Sequence, residues 1–154
     1  MTYLLIKWVH ILSATLLFGT GLGSAFYKYM ADRRGDVAAI AFVSRHVVLA
    51  DWWFTTPTVI LQPVTGFALA LIAGYPLTQP WMAASIGLYV VAGLCWLPVV
   101  RFQIRMRDLA AEAREQNTSL PEAYWRYARI WFWLGVPAFC AMVAVFGLMV
   151  LKPG

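Results

Sequence analysis

Four long apolar stretches constrain this chain more than any other feature of its sequence. About 20 apolar residues are enough for a helix to cross the hydrocarbon core of a bilayer. Four segments reach that length: residues 4–27, 52–74, 82–104 and 129–151. Backbone groups find no water to bond in lipid, so each stretch must be helical. The sequence therefore predicts an all-α polytopic membrane protein, a four-transmembrane-helix bundle in a single domain over residues 1–154.

The composition agrees with a membrane protein. Apolar residues make up 62% of the 154 residues and charged residues only 12%, well outside the composition of soluble domains. The formal net charge of +5 would suggest a nucleic-acid partner in a soluble chain. In a membrane chain it is better explained by Lys and Arg gathered beside one leaflet. We therefore expect membrane lipid, and no nucleic acid, among the partners.

The basic residues are concentrated in the first and third connections between the stretches. Of the 12 Lys and Arg residues, all but Lys7 and Lys152 lie there: Lys28, Arg33, Arg34, Arg45, Arg101, Arg105, Arg107, Arg114, Arg126 and Arg129. Loops rich in Lys and Arg face the cytoplasm. We therefore expect a multi-pass protein of the bacterial cytoplasmic (inner) membrane, with both termini outside, in the periplasm.

Both basic connections contain segments that favour helix. Residues 37–50, VAAIAFVSRHVVLA, are too apolar for a solvated loop and reach Asp51 without a breaker. They predict a helix that either packs at the membrane interface or continues into the second span. The segment RMRDLAAEAREQ extends the third span as a charged helix. The bundle is thus expected to carry cytoplasmic helical extensions.

Asp51 and Arg101 mark the same predicted membrane boundary, one at the start of the second span and one at the end of the third. Their opposite charges and similar depth predict an ion pair, with Arg45 and Arg105 as rival partners. Arg101, Arg105 and Asp108 share a helix face. The functional alternative is a basic recess for an anionic head group, propionate or carboxylate.

Small residues in the first span predict close helix contact. The sequence GTGLG is not a dinucleotide-binding loop, because it lies inside an apolar helix with no strand before it. Gly19 and Gly23, extended backward by Thr15, form a small-xxx-small face that suits helix packing, including contact between copies in a homo-oligomer. Cys95 and Cys140 lie inside apolar runs, where we expect buried free thiols rather than a disulfide.

His10 raises the functional question, because it lies about 9 Å inside the first span at 1.5 Å per residue. Ionisable groups at membrane depth are costly and are functional candidates by default. His10 either hydrogen-bonds a neighbouring helix or ligates haem iron from one side. His46 lies towards the opposite face of the membrane, so one haem shared by both histidines is not expected. Residues at the predicted depth of His10 would supply a second axial ligand: Met82, Tyr89, Met142 or Met149.

Further polar residues complete a candidate set of cofactor-binding residues around His10. Gln62, near mid-depth, must hydrogen-bond across helices or to a ligand such as a quinone carbonyl. Lys7 lies at the outer interface, where its ammonium would reach a propionate or a lipid phosphate by snorkelling. Tyr89, like Gln62, is expected to be a polar wall contact, and Arg101 with Asp51 is expected to stabilise the cytoplasmic end.

Four phrases of the sequence resemble a family of small bacterial membrane proteins. They are KWVHILSATLLFGTGLGSAF, DWWFTTPTVILQPVTGFALA, GLCWLPVVRFQIRMRDLA and GVPAFCAMVAVFGLMVLKP. Over nearly its whole length the chain resembles the DUF2269 family of predicted bacterial integral membrane proteins. That resemblance implies a multi-span membrane fold and assigns no activity.

More remotely, the LxKWxH-like opening is similar to the group that includes HemJ-type protoporphyrinogen oxidases and CopD-type copper-resistance membrane proteins. In the HemJ type, a first-helix histidine and a third-helix lysine are associated with haem b. The histidine corresponds to His10. The third span here has no lysine, and its only basic residue, Arg101, lies at the far end. The resemblance therefore implies haem ligation by His10 and leaves the second ligand open.

Two classes of function follow from these observations. The first is a membrane electron-transfer protein, with a membrane oxidoreductase left open, that binds haem b or a quinone near His10. The second has no cofactor: a small-solute transporter working as an oligomer, or an accessory or structural subunit of a larger membrane complex. If haem is bound, we expect His10→Ala to abolish its retention and His46→Ala to leave it in place.

Overall fold

The computed structural model describes residues 1–153, which are helical almost throughout. In chain order the elements are α1 (Thr2–Arg34), α2 (Val37–Ala50), a π-helical turn (Asp51–Thr55), α3 (Thr56–Ala73), α4 (Pro80–Glu115) and α5 (Glu122–Leu151). α2, the π turn and α3 run on as one helix, so four long helical segments result, each long and apolar enough to cross a membrane. The predicted four-helix membrane bundle is confirmed; Gly154, which the prediction also included, lies outside the described residues.

The segment 37–50 is continuous with the second span rather than a separate interfacial helix. Asp36 begins it by accepting a hydrogen bond from the backbone N–H of Ala38 at 3.0 Å, a typical N-cap. It follows directly on Gly35, which ends α1 with a φ of 75°. That left-handed conformation favours glycine, so a sharp reversal separates α1 from α2.

The π turn lies where proline interrupts the helix. Pro57 has no N–H to donate, and its ring would crowd the carbonyl four residues earlier in a regular α-helix. The backbone N–H of Thr56 instead reaches the carbonyl of Asp51, five residues back. The wider turn accommodates the proline without ending the helix. Such turns inside α-helices are frequent at functional sites.

The main core lies at one end of the bundle, where α1 and α4 end and α2 and α5 begin. We call this the basic end. Buried apolar side chains from all four elements meet there: Ala31, Ile40, Ala41, Val99, Met106, Ala110, Tyr124 and Trp131. A smaller cluster of Ala70, Trp81 and Met82 lies at the opposite end. Between the two, large apolar side chains such as Val64 and Leu94 are exposed, as expected of a lipid-facing surface.

The small-residue face of α1 is not packed against another helix of the chain. A Cβ built on Gly19 or Gly23 would meet no atom within 4 Å, and Thr15 is exposed. Contact between copies through this face stays a prediction. Cys95 and Cys140 are free thiols, as expected, but Cys140 is exposed rather than buried.

A candidate ligand site inside the bundle

A cavity of about 350 Å³ lies between α1, the π turn with α3, α4 and α5. Most of its wall is apolar and strongly aromatic, including Phe18, Trp96, Phe132, Phe139 and Met142. Phe18 and Phe139 stack with their ring centroids 5.3 Å apart. A cavity of this size and lining suits a flat, lipophilic molecule.

Four polar residues of the cavity come from three elements and are incompletely hydrogen-bonded. They are Asp51, Thr55, Gln103 and Trp131; Ser24 and Tyr89 also line the cavity. The Thr55 hydroxyl donates to Asp51 Oδ1 at 2.8 Å. Within residues 1–153, Asp51 Oδ2, Gln103 Oε1 and Trp131 Nε1 are buried without a hydrogen-bond partner. An orphaned buried polar atom costs about 1–3 kcal/mol, so two acceptors and one donor of this kind lie close to the cavity at a cost in stability.

Local helix geometry explains why Asp51 lies inside. Asp51 and Thr55 are buried at opposite ends of the π turn, while Trp52, Trp53 and Phe54 between them are exposed. The turn thus presents its polar ends to the bundle and its large aromatic residues to the surroundings. The sequence DWWFT therefore separates a buried polar pair from an aromatic belt.

The predicted ion pair between Asp51 and Arg101 or Arg105 is not formed, which corrects the sequence-based expectation. The ion pairs within residues 1–153 are Lys28 with Asp32 and Arg107 with Asp108. Arg101 and Arg105 are exposed, as is the rival Arg45, whereas Gln103 is buried. Side chains on an α-helix advance by about 100° per residue, so when Gln103 points into the cavity its charged neighbours point away.

A second buried polar cluster adjoins the cavity, and sequence reasoning missed it. Lys28 on α1 is 1% exposed and lies 2.6 Å from the carboxylate of Asp32, one turn on. The Lys28 ammonium also donates to the hydroxyl of Tyr124 on α5 at 2.5 Å, and that hydroxyl donates to Asp32. Lys28 Nζ lies 5.8 Å from the ring centroid of Trp131, a wall of the cavity. The cluster ties α1 to α5 beside the polar end of the cavity.

His10 lies apart from the cavity and contacts α3. Its Nδ1 is 2.7 Å from Thr65 Oγ1, and the single hydroxyl proton of Thr65 is donated to the carbonyl of Leu61 at 2.6 Å. This network assigns the ring proton to Nδ1, which donates to Thr65. His10 Nε2 then carries a free lone pair. A fixed tautomer of this kind is a common feature of metal-ligating histidines.

Comparison with known proteins identifies the chain at the level of family. A family model described as "Predicted integral membrane protein (DUF2269)" matches residues 4–153. The chain belongs to the DUF2269 family. No curated protein and no solved structure matches it. The family description and the four candidate spans agree that this chain is an integral membrane protein.

The other residues of the predicted cofactor set are dispersed in this DUF2269 protein. Gln62 Nε2 donates to the backbone carbonyl of His10 at 2.9 Å, so the interhelical role predicted for it is present. The Tyr89 hydroxyl donates to the carbonyl of Val59 at 2.6 Å, and its side chain lines the cavity. Lys7 and Arg101 are exposed.

The candidate second ligands and His46 also lie in separate places. Met82 and Met149 belong to the small cluster at the end opposite the basic end, whereas Met142 lines the cavity. His46 is exposed and donates from Nδ1 to the carbonyl of Phe42 at 2.8 Å. His10 and His46 thus have different surroundings.

Proposed function

We propose that this protein binds a lipophilic ring compound with a hydrogen-bonding carbonyl, of the quinone class, in the cavity between α1, α3, α4 and α5. The observation that carries the proposal is the indole N–H of Trp131, buried without a partner on a residue that lines a mainly apolar and aromatic cavity. A quinone carbonyl would accept this hydrogen bond while the rings lining the cavity cover the flat quinone.

The acceptors in the cavity suit the reduced form of the same ligand. Asp51 Oδ2 and Gln103 Oε1 are buried without partners, and each can accept a hydrogen bond from a quinol hydroxyl. One donor and two acceptors can therefore satisfy either redox state of the ligand. Such a site would serve electron transfer in a bacterial cytoplasmic membrane, beside a partner complex that supplies or takes the electrons.

The apolar wall favours a lipophile over a hydrophilic solute. A polar solute entering this cavity would lose its hydration along most of its surface, and an uncompensated polar group costs several kcal/mol in an apolar environment. A quinone-like molecule instead arrives from the lipid already dehydrated. The transporter alternative is the weaker proposal for this reason.

Trp131→Phe is expected to weaken quinone binding by roughly 5- to 10-fold, the effect of losing one hydrogen bond with the aromatic surface retained. Equilibrium dialysis of the purified protein in mild detergent against ubiquinone-1, a short-chain quinone, measures the dissociation constant. Trp133→Phe is the matched control, because Trp133 lies on the same helix and is 70% exposed. Absence of saturable binding to the wild type, or equal effects of the two substitutions, would refute the proposal.

A second candidate, haem b ligated by His10, is favoured by one observation. The bond to Thr65 holds the imidazole in the tautomer that leaves Nε2 able to ligate iron. Against it, His10 lines neither the cavity in the bundle nor the open groove on its surface. His10 Nε2 thus fits axial ligation from one side, but neither of these two spaces would bring the macrocycle to it. Bound haem would supply one-electron chemistry.

An absorption spectrum tests this second candidate separately. If haem is bound, protein purified from cells supplied with haem precursor will show a Soret band, with α and β bands after dithionite reduction. His10→Ala is then expected to lose these bands completely, because the axial ligand is gone, and His46→Ala is expected to keep them. A colourless wild type, or a coloured His10→Ala variant, would exclude ligation by His10 without affecting the quinone test.

A further inference from the structure

An open groove of about 1000 Å³ runs along the outside of the bundle between α1 and α2 with the π turn. Small residues of α1 form its floor, namely Gly19, Thr20, Gly23 and Ser24. Large apolar side chains form its sides, among them Tyr27, Phe42 and Phe54, all exposed. The groove is therefore an apolar channel on the surface of the protein, separate from the cavity inside it.

The length of the groove matches one leaflet of a bilayer. From Gly19 to Arg34 its floor follows α1 for about 22 Å at 1.5 Å per residue. About 15 Å of this length corresponds to half of the hydrocarbon core, and the rest of the groove extends into the head-group layer. An acyl chain lying along the small residues would thus bring its head group to Arg33 and Arg34.

Two arginines without an ion-pair partner lie at that end of the groove. Arg33 and Arg34 both line it, and neither forms an ion pair within residues 1–153. Arg33 makes one long hydrogen bond, at 3.4 Å, to the Tyr29 hydroxyl. The nearby carboxylate of Asp32 is already bound to Lys28. Guanidinium groups on two successive residues that line the groove, neither in an ion pair, are well suited to a phosphate.

We propose that this groove binds one anionic phospholipid from the leaflet at the basic end. Its acyl chains lie along Gly19 and Gly23, and its phosphate meets Arg33 and Arg34. The open space at the two glycines, where an added Cβ would touch nothing, is the space that the acyl chains fill. By the positive-inside rule this is the cytoplasmic leaflet, where anionic lipids attract basic residues. The proposal does not depend on quinone binding in the cavity.

Native mass spectrometry of protein reconstituted in an equimolar mixture of phosphatidylglycerol and phosphatidylcholine tests the proposal. The wild type is expected to retain one phosphatidylglycerol in preference to phosphatidylcholine. Arg33→Gln with Arg34→Gln should lower the apparent affinity for phosphatidylglycerol by roughly 30-fold, from the usual contribution of a basic residue near an anionic lipid surface. Arg105→Gln with Arg114→Gln removes two exposed charges from α4 at the same end and is expected to change retention little.

A steric variant tests the apolar part of the groove. Gly23→Leu fills the floor at a position where an added Cβ would meet no atom within 4 Å, and it should reduce phosphatidylglycerol retention while both arginines remain. Equal retention of the two lipids by the wild type would overturn the proposal. So would an equal loss in the two double-glutamine variants. A wild-type dimer without bound lipid that dissociates in Gly23→Leu would show a second copy in the groove and would also overturn it.

Discussion

Replacing Lys28 with methionine is expected to destabilise the folded protein by about 3 kcal/mol. The Lys28 ammonium is buried against Asp32 and Tyr124, and methionine keeps a long apolar stem but leaves the carboxylate without its cation. The cost is at the low end for buried pairs because the Asp32 side chain keeps 13% exposure. Thermal unfolding in one detergent, followed by the near-ultraviolet circular dichroism of the aromatic residues, measures the loss.

The second ion pair of the chain provides a matched control. Arg107 and Asp108 have side chains that are 37% and 54% exposed, so Arg107→Met should change stability by less than about 1 kcal/mol. Replacing both buried charges, in Lys28→Met with Asp32→Leu, should recover much of the loss because no unpaired charge is then buried. Equal destabilisation by Lys28→Met and Arg107→Met would contradict the structural role of the buried cluster.

The spans could be predicted from the sequence because the constraint on them is local. Length and apolar composition alone require a helix in lipid, and all four predicted spans lie within helices or end one residue beyond one. The segment 37–50 was ambiguous for a physical reason. Its apolar run has no breaker, yet Pro57 follows shortly afterwards. The structure joins the segment to the second span because the π turn accommodates that proline.

The polar sites are harder to predict from the sequence, because they depend on how the helices are rotated about their axes. Asp51 stood out in the sequence, but its surroundings depend on whether α4 presents Arg101 or Gln103 to it. The packing of the whole bundle determines which of these two residues faces Asp51. Lys28 and Asp32 are spaced by one helical turn, a signal that the sequence contained. Tyr124 joins them only through the tertiary fold.

The basic end differs from the rest of the bundle in what stabilises it. Within lipid, helix association gains little from the hydrophobic effect, because the surrounding acyl chains are as apolar as the side chains. Ile40 lies about 16 Å along the helix from Asp51 at 1.5 Å per residue, beyond the uncharged stretch of the second span. The core around Ile40 is therefore expected to gain stability from excluding water, as the core of a soluble domain does.

Ile40→Ala is accordingly expected to destabilise the protein by about 3 kcal/mol, through lost apolar burial and the cavity left behind. Ile40 is 0% exposed in the core at the basic end. Ile60→Ala makes the same chemical change on α3, where the side chain is 61% exposed, and should cost little because lipid or detergent replaces the lost contacts. Both variants are compared by thermal unfolding in the same detergent. Equal shifts in the unfolding temperature would contradict this prediction. They would show that the basic end has no water-excluding core and is stabilised in the same way as the lipid-facing part.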